Sequence, residues 1–255
     1  MTWSPDLYRQ FEDDRTRPVR DLAAAIPAAD PAHVIDLGCG PGNSTEILAA
    51  RFPAATVTGL DSSPEMIEAA RRRLPHLQFD LADIATWDEP GRYDVILSNA
   101  VLQWVPDHAG LFPRLLGSVA EGGSLAVQMP ENMDEPAYRV MRATAEAPAW
   151  RALCANAEGQ RADMLSGDAY YRLLKPHCRR VDMWRTTYFH VLSGIDAVVE
   201  WFKGSGLRPY LAPLDPAQRK SFLAQYREGI AAAYPVQPDG SVLLPFPRLF
   251  LVATR

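Results

Sequence analysis

The sequence predicts an α/β fold: a doubly wound, mostly parallel sheet with helices on both faces and a helical cap. Three observations predict it. Short apolar runs alternate with helical patterns through the first half of the 255-residue chain, which reads as successive βαβ units. The first of these runs ends in clustered glycines, where an open α/β sheet takes its ligand. The second half changes character, with helical stretches around two separate strand-like runs.

Val34-Ile35-Asp36-Leu37 is the first strand, and a helix should follow with Asn43 as N-cap and Glu46 three residues on. Residues 56–61 form the second strand. Ser63-Pro64-Glu65 opens a helix, with Ser as cap and Pro at the first helical position, and Pro75 stops it. Residues 77–81 and 93–98 read as the third and fourth strands. A helix around 111–120 should end at Gly122-Gly123, leaving 124–129 as the fifth strand. Residues 134–180 look helical. Residues 184–189 are rich in β-formers and read as a strand. Amphipathic helices are expected at 195–203 and 216–233, and a last strand at 249–253. No repeat, low-complexity tract or Gly/Ser linker breaks the chain. The expectation is one domain over 1–255. Its core spans 30–130, and 131–180 with 195–245 supply a helical cap and substrate-binding elaborations.

Composition bounds the function. Apolar residues make up 47% and charged residues 22%, a globular balance. The net charge of −5 argues against a general nucleic-acid binder, which wants a basic surface. No apolar run approaches the roughly 18 residues of a membrane span. The start, Met1-Thr2-Trp3-Ser4-Pro5-Asp6, lacks the basic and apolar regions of a secretory signal, so a cytoplasmic protein is expected. Cys39, Cys154 and Cys178 form no CxxC pair, so neither a disulfide framework nor a metal site is expected. Of 26 basic residues only three are Lys. That reflects either a compositional bias or Arg forks selected to bind carboxylates bidentately.

The strongest signal is Asp36-Leu37-Gly38-Cys39-Gly40-Pro41-Gly42-Asn43, between a strand and a helix. Glycines let the backbone turn tightly and approach a ligand. Asp61, at the end of the second strand, is where an acid accepts the two hydroxyls of a ribose. A nucleoside cofactor follows, with NAD still open. Three details weigh against NAD. The dinucleotide pattern would place its third glycine where Asn43 stands. The third strand is followed by Asp83-Ile84, an acid and an apolar residue suited to an adenine edge and face. No Tyr/Lys or His/Asp set for hydride transfer is evident.

These residues resemble the class I S-adenosylmethionine (SAM)-dependent methyltransferases. Asp36 to Gly42 resembles that family's glycine-rich first motif, Asp61 its ribose-binding acid, Asp83-Ile84 its adenine-contacting pair, and Asp94 to Asn99 its fourth strand. The resemblance covers about residues 30–130. It implies a seven-stranded sheet with the last strand antiparallel, SAM as cofactor, no metal, and a cofactor-binding set of Asp36, Gly38, Cys39, Gly40, Gly42, Asp61, Ser62, Asp83, Ile84 and Asn99.

Five further segments resemble one subfamily, the trans-aconitate 2-methyltransferases. They are Trp3 to Tyr8 with Phe11, Arg15-Thr16-Arg17-Pro18, Asn99 to Trp104 with Pro106-Asp107-His108, Trp184 to Tyr188 with His190, and Gly206 to Pro209 with Phe246 to Phe250. The resemblance implies methylation of one carboxylate of a small tricarboxylic acid to a monomethyl ester. An ionised carboxylate needs no general base, so no catalytic nucleophile–base pair is expected and catalysis is positioning. The substrate candidates are Arg15, Arg17, Arg185, Arg208 and Arg248 as carboxylate forks, Tyr8, Tyr188, His190 and Tyr210 as donors, and Gln103 and Trp104 near the methyl group. Trp3, Tyr8 and Phe11 are candidates for a lid. Two alternatives stay open: a carboxyl methyltransferase acting on an acyl group held by a carrier protein, and a non-catalytic SAM-binding protein. A carrier protein is acidic and wants a basic surface, for which Arg71-Arg72-Arg73 is the one basic run.

Overall fold

The computed structural model describes residues 12–90, 92–157, 162 and 164–255. Helix α1 (Glu12–Ala25) leads into β1 (His33–Leu37), α2 (Asn43–Arg51), β2 (Thr56–Asp61), α3 (Pro64–Arg73) and β3 (Gln78–Leu81). Then come β4 (Tyr93–Asn99), a 3₁₀ turn at Leu102–Trp104, α4 (His108–Gly117) and β5 (Val119–Pro130). The chain continues with α5 (Pro136–Glu146), α6 (Gly167–Leu174), β6 (Arg180–Leu192), α7 (Ile195–Lys203), α8 (Arg208–Leu211), α9 (Pro216–Ala233) and β7 (Val242–Thr254).

The seven strands form one sheet in the order β3-β2-β1-β4-β5-β7-β6. The pairs β1–β2, β2–β3, β1–β4 and β4–β5 are parallel. β7 runs against β5: Ser124 and Thr254 share a hydroxyl hydrogen bond, and Arg255 N–H donates to Gly123 O, so one index rises as the other falls. The expected seven-stranded, mostly parallel sheet with an antiparallel last strand is therefore what the chain builds.

Local chemistry explains most boundaries. Ser63 caps α3 by accepting from Met66 N–H, and Pro64 stands at its first position. Asp215 and Gln218 form a full capping box on α9. Two expectations need correction. The N-cap of α2 is Gly42, not Asn43, because the chain enters the helix at φ +94, a left-handed value glycine reaches freely. Glu46 instead pairs with Arg73 at 2.7 Å. The helix placed at 111–120 spans His108–Gly117, capped by Asp107, whose carboxylate accepts from Gly110 N–H at 3.1 Å. Gly122 and Gly123 lie within β5, where the register against β4 slips between Tyr93↔Val119 and Val95↔Ser124. Gly122 has φ +80, and a Cβ on Gly123 would lie 2.7 Å from Asp94 O, so the pair serves a bulge and not a helix end.

The chain divides into two compact units. One comprises the described residues up to Met129 with those of 161–185 and Leu249–Arg255, and the other the described residues of 130–160 with Thr186–Arg248. Breaks fall inside β6 and β7 and before the last residue of β5. The described residues of 161–180, which the sequence boundary grouped with the cap, fall in the first unit. There Tyr170 and Leu174 of α6 are fully buried, and the Tyr170 ring lies 5.1 Å from Phe112. In the second unit α9 packs beside α5: Tyr226 O–H donates to Ala137 O, and Ala137 N–H donates to the Tyr234 hydroxyl. Trp150 Nε1–H donates to Gln225 Oε1 at 2.7 Å. No described helix is long and apolar enough to cross a membrane. The basic run is engaged locally: Arg71 donates to Phe79 O, Arg72 pairs with Glu68, and Arg73 with Glu46.

Candidate active site

β1 and β4 are neighbours, and the chain winds outward from them in opposite directions. Their carboxyl ends therefore form the crevice where an open α/β sheet binds ligands. Gly38 leaves β1 at φ +73, and its N–H and that of Cys39 both donate to Leu60 O, at 2.7 and 2.9 Å. Gly40 N–H donates to Asp61 Oδ2 at 2.9 Å, so the loop is tied to the end of β2. A Cβ on Gly38 would lie 2.4 Å from Val101, whereas one on Gly40 would meet nothing within 4 Å. Gly38 thus lets two walls close on each other, and Gly40 faces open space. Cys39 is buried, and burial pushes its thiol far up, which rules out a thiolate nucleophile.

Three acids stand at the strand ends. Asp61 also accepts from Ser63 N–H at 2.9 Å, and burial raises its carboxyl pKa against the pull of these backbone donors. Asp83 caps its own turn by accepting from Ala85 N–H. Asp36 is different. It is fully buried and accepts the hydroxyls of Ser44 at 2.6 Å and Thr45 at 2.7 Å on one oxygen. Its other oxygen has no hydrogen-bond partner among the described residues. It therefore ties β1 to the first turn of α2 from behind the loop.

Burial raises the Asp36 pKa from 3.8 to about 6. Between those values the native protein keeps a proton that the unfolded chain has lost, so stability falls as pH rises through the window. The full effect is about 3 kcal/mol. Urea unfolding from pH 4 to 6.5 should show wild type losing stability relative to Asp36→Asn. A constant difference across that range would contradict this account.

The opposite wall follows β4. The Asn99 side-chain oxygen is buried with no partner among the described residues, and Ala100 takes φ +57, a left-handed value costly for a side chain. Gln103 is 3% exposed, its amide N–H donates to Ala100 O at 2.7 Å, and its Oε1 has no partner among the described residues. His108 braces this turn. Its Nε2–H donates to Leu102 O at 2.8 Å, which leaves Nδ1 to accept the Tyr170 hydroxyl at 2.5 Å.

Between the walls lies a cavity of about 380 Å³, within the range of small-molecule sites. Gly38, Cys39, Gly40, Asp61, Ser62, Asp83, Ile84, Asn99 and Trp104 line it. Asp36 and Gly42 do not. Gly42 packs instead against Leu74 and Ala70, where an added Cβ would lie 3.3 Å and 3.5 Å away.

Of the substrate candidates in the first unit, Tyr8 lies outside the described residues, as do Trp3 and Phe11 of the expected lid. Arg15 falls in α1 with its side chain outside the described set. Arg17 and Arg185 are exposed. In the second unit Tyr188, His190 and Arg248 come together. Arg248 is 4% exposed, with its guanidinium 4.7 Å from the Phe246 ring centre and 6.0 Å from that of Tyr188. The His190 ring lies 5.5 Å from Phe246 and 4.4 Å from Trp201. Arg208 is half-buried, and burial lowers its pKa. Tyr210 stacks at 6.4 Å on Phe222.

A family profile described as a methyltransferase domain matches residues 8–177. Trans-aconitate 2-methyltransferase of Methylobacterium radiotolerans is 53% identical over 99% of this chain and 98% of its own. Its counterpart from Paracidovorax citrulli is 52% identical over the same shares. The chain belongs to the trans-aconitate 2-methyltransferase family.

Solved structures agree on the fold of this methyltransferase. The YcgJ protein from Bacillus subtilis superposes with a TM-score of 0.62 over 94% of this chain and 98% of its own, at 11% identity. Phosphoethanolamine N-methyltransferase 2 of Haemonchus contortus, solved in complex with S-adenosyl-L-methionine, superposes with a TM-score of 0.55 at 13% identity, over 94% of this chain and 52% of its own. Sequence reasoning missed several cavity residues of the methyltransferase: Thr16 and Val19 of α1, Ser44, Met66, Val101 and Val105. Thr16 and Val19 were findable. They share one face of α1 with Leu22 and Ala23, all buried, but Arg15 and Arg17 drew the reading to charge.

Proposed function

We propose that this protein transfers the methyl group of SAM to one carboxylate of trans-aconitate, giving a monomethyl ester. The observation that carries the reading is near-complete-length identity above 50% to relatives bearing that name. When bound, SAM supplies a sulfonium methyl whose carbon bonds to the substrate oxygen as its bond to sulfur breaks, leaving S-adenosylhomocysteine. Asp61 would accept the ribose hydroxyls, and Asp83 and Ile84 would hold the adenine edge and face. The Gly38 N–H is already engaged with Leu60 O, so its carbonyl is what it would offer the methionyl ammonium. Asn99, whose buried side-chain oxygen has no partner among the described residues, would accept a hydrogen bond from the same tail. The open space at Gly40 fits a ligand that fills it.

The acceptor oxygen is ionised at neutral pH, so no side chain removes a proton. Arg248, Arg208, Tyr188 and Tyr210 are the candidates for the other carboxylates, and Trp104, which lines the cavity, is the candidate for the wall beside the methyl group; Gln103 does not line it. The acidic net charge fits an enzyme acting on a small molecule and not on nucleic acid.

Transfer of tritiated methyl from SAM to a panel of mono-, di- and tricarboxylic acids tests the reading. Trans-aconitate should be the best acceptor, and labelling of none of the acids would overturn it. Asp61→Ala should weaken SAM binding by about 1.5–3 kcal/mol in calorimetry, the worth of hydrogen bonds to a charged group, and unchanged affinity would remove Asp61 from the site. The pH profile of kcat/KM should fall only below about pH 5, as substrate protonates. An inflection near 6.5 would point instead to a histidine base.

A further inference from the structure

Asp83 and Ile84 line the cavity, yet what fixes them comes from outside it. They belong to a tight turn in which Thr86 and Trp87 N–H both donate to Asp83 O, at 3.1 and 2.9 Å, and Ala85 N–H donates to Asp83 Oδ1. A single turn of this kind ends with carbonyls that have no following turn to satisfy them. Arg114 of α4 meets three of these. Its Nη2 donates to Ile84 O at 3.1 Å and Ala85 O at 2.8 Å, and its Nη1 donates to Trp87 O. One planar guanidinium therefore fixes the whole turn, which the point charge of a lysine cannot do. Ile84 and Trp87 are buried in the core, while Asp83 stands on the exposed side of the turn. The direction of the Asp83 carboxylate thus depends on the turn being held. The same helix braces the opposite wall through His108 and Leu102 O.

We infer that Arg114 is a positioning residue for recognition of the cofactor's base, acting through the Asp83–Ile84 turn. The inference rests on the reading of Asp83 and Ile84 given above. A carboxylate only accepts hydrogen bonds, so it favours a 6-amino purine, whose amine donates, and repels a 6-oxo purine, whose lone pairs face it. That preference survives only if the carboxylate stays aimed at the base edge. With Arg114 removed, the turn relaxes, Asp83 swings toward water, and the two bases bind more alike.

Calorimetric binding of S-adenosylhomocysteine and of S-inosylhomocysteine tests this with wild type, Arg114→Lys, Arg114→Met and His108→Gln, each checked for folding by thermal melting. Wild type should prefer the adenine ligand roughly tenfold. The preference should shrink to about twofold in Arg114→Met, fall between in Arg114→Lys, and stay at the wild-type ratio in His108→Gln. A wild-type ratio in Arg114→Met would overturn the role of Arg114. So would an equal loss in His108→Gln, which would mark general loosening. Equal binding of the two ligands by wild type would mean that the reading of Asp83 itself fails. Should Arg114→Met not fold, Arg114→Lys decides: an undiminished ratio there overturns the proposal.

Discussion

Arg248→Lys should raise KM for trans-aconitate by about 10- to 100-fold while leaving SAM affinity nearly unchanged. Arg248 is the most buried arginine among the substrate candidates described, at 4% exposure, and aromatic rings flank its guanidinium. A carboxylate meeting it does so in a low-dielectric setting, where a two-pronged charged hydrogen bond is strongest. Lysine keeps the charge but loses the fork and the guanidinium over the Phe246 ring. The effect should shrink for a monocarboxylic acceptor, which offers no second carboxylate to hold. Arg185→Lys, at an exposed position, should change KM by less than about twofold. Steady-state kinetics across mono-, di- and tricarboxylic acids, with melting curves as a check on folding, decide the matter. An unchanged KM in a folded Arg248→Lys enzyme would move substrate binding elsewhere, with Arg208 the next residue to test.

Gly38→Ala should abolish measurable SAM binding and lower stability by about 3–5 kcal/mol, whereas Gly40→Ala should cost only about 1–2 kcal/mol of stability. Both residues have positive φ, +73 and +54, so both substitutions carry backbone strain. They differ in what the new methyl meets. At Gly38 it would lie 2.4 Å and 2.5 Å from the two Val101 methyls, and relief requires moving the wall that carries Asn99 and Trp104. At Gly40 it meets no protein atom within 4 Å, so the loss there should fall on the ligand occupying that space. Denaturant unfolding and calorimetry with SAM separate the two. Equal stability of the two variants would refute the claim that Gly38 sets the closure of the crevice.

Much of the fold was legible because its causes are local. The strand at residues 56–61 and the helices at 195–203 and 216–233 stand where periodicity put them. The Ser63-Pro64 cap works through atoms three residues apart. Gly38 and Asp61 were readable for the same reason: a glycine loop after a first strand, and an acid at the end of a second, carry their geometry in the chain itself. The bulge at Gly122-Gly123 was not readable. It exists only relative to β4, and the two glycines look the same in sequence whether they end a helix or widen a ladder. The turn clamped by Arg114 was equally hidden, since its donor lies 27 to 30 residues away from the carbonyls it serves.

By itself the sequence determined the order of strands and helices, the glycine loop with its acids, and the family. Only the tertiary structure decided which arginine is buried. Arg185 and Arg248 both sit in strand-forming runs beside aromatic residues. On β6 the inward positions are Tyr188, His190 and Leu192, so Arg185 falls in the outward set with Thr187 and Phe189. On β7 the inward set includes Val242, Leu244 and Phe246, and Arg248 follows the same parity inward. Side chains alternate along a strand with period two, so one residue of offset exchanges core for solvent. That offset is set by what each strand packs against, which no local run of residues encodes.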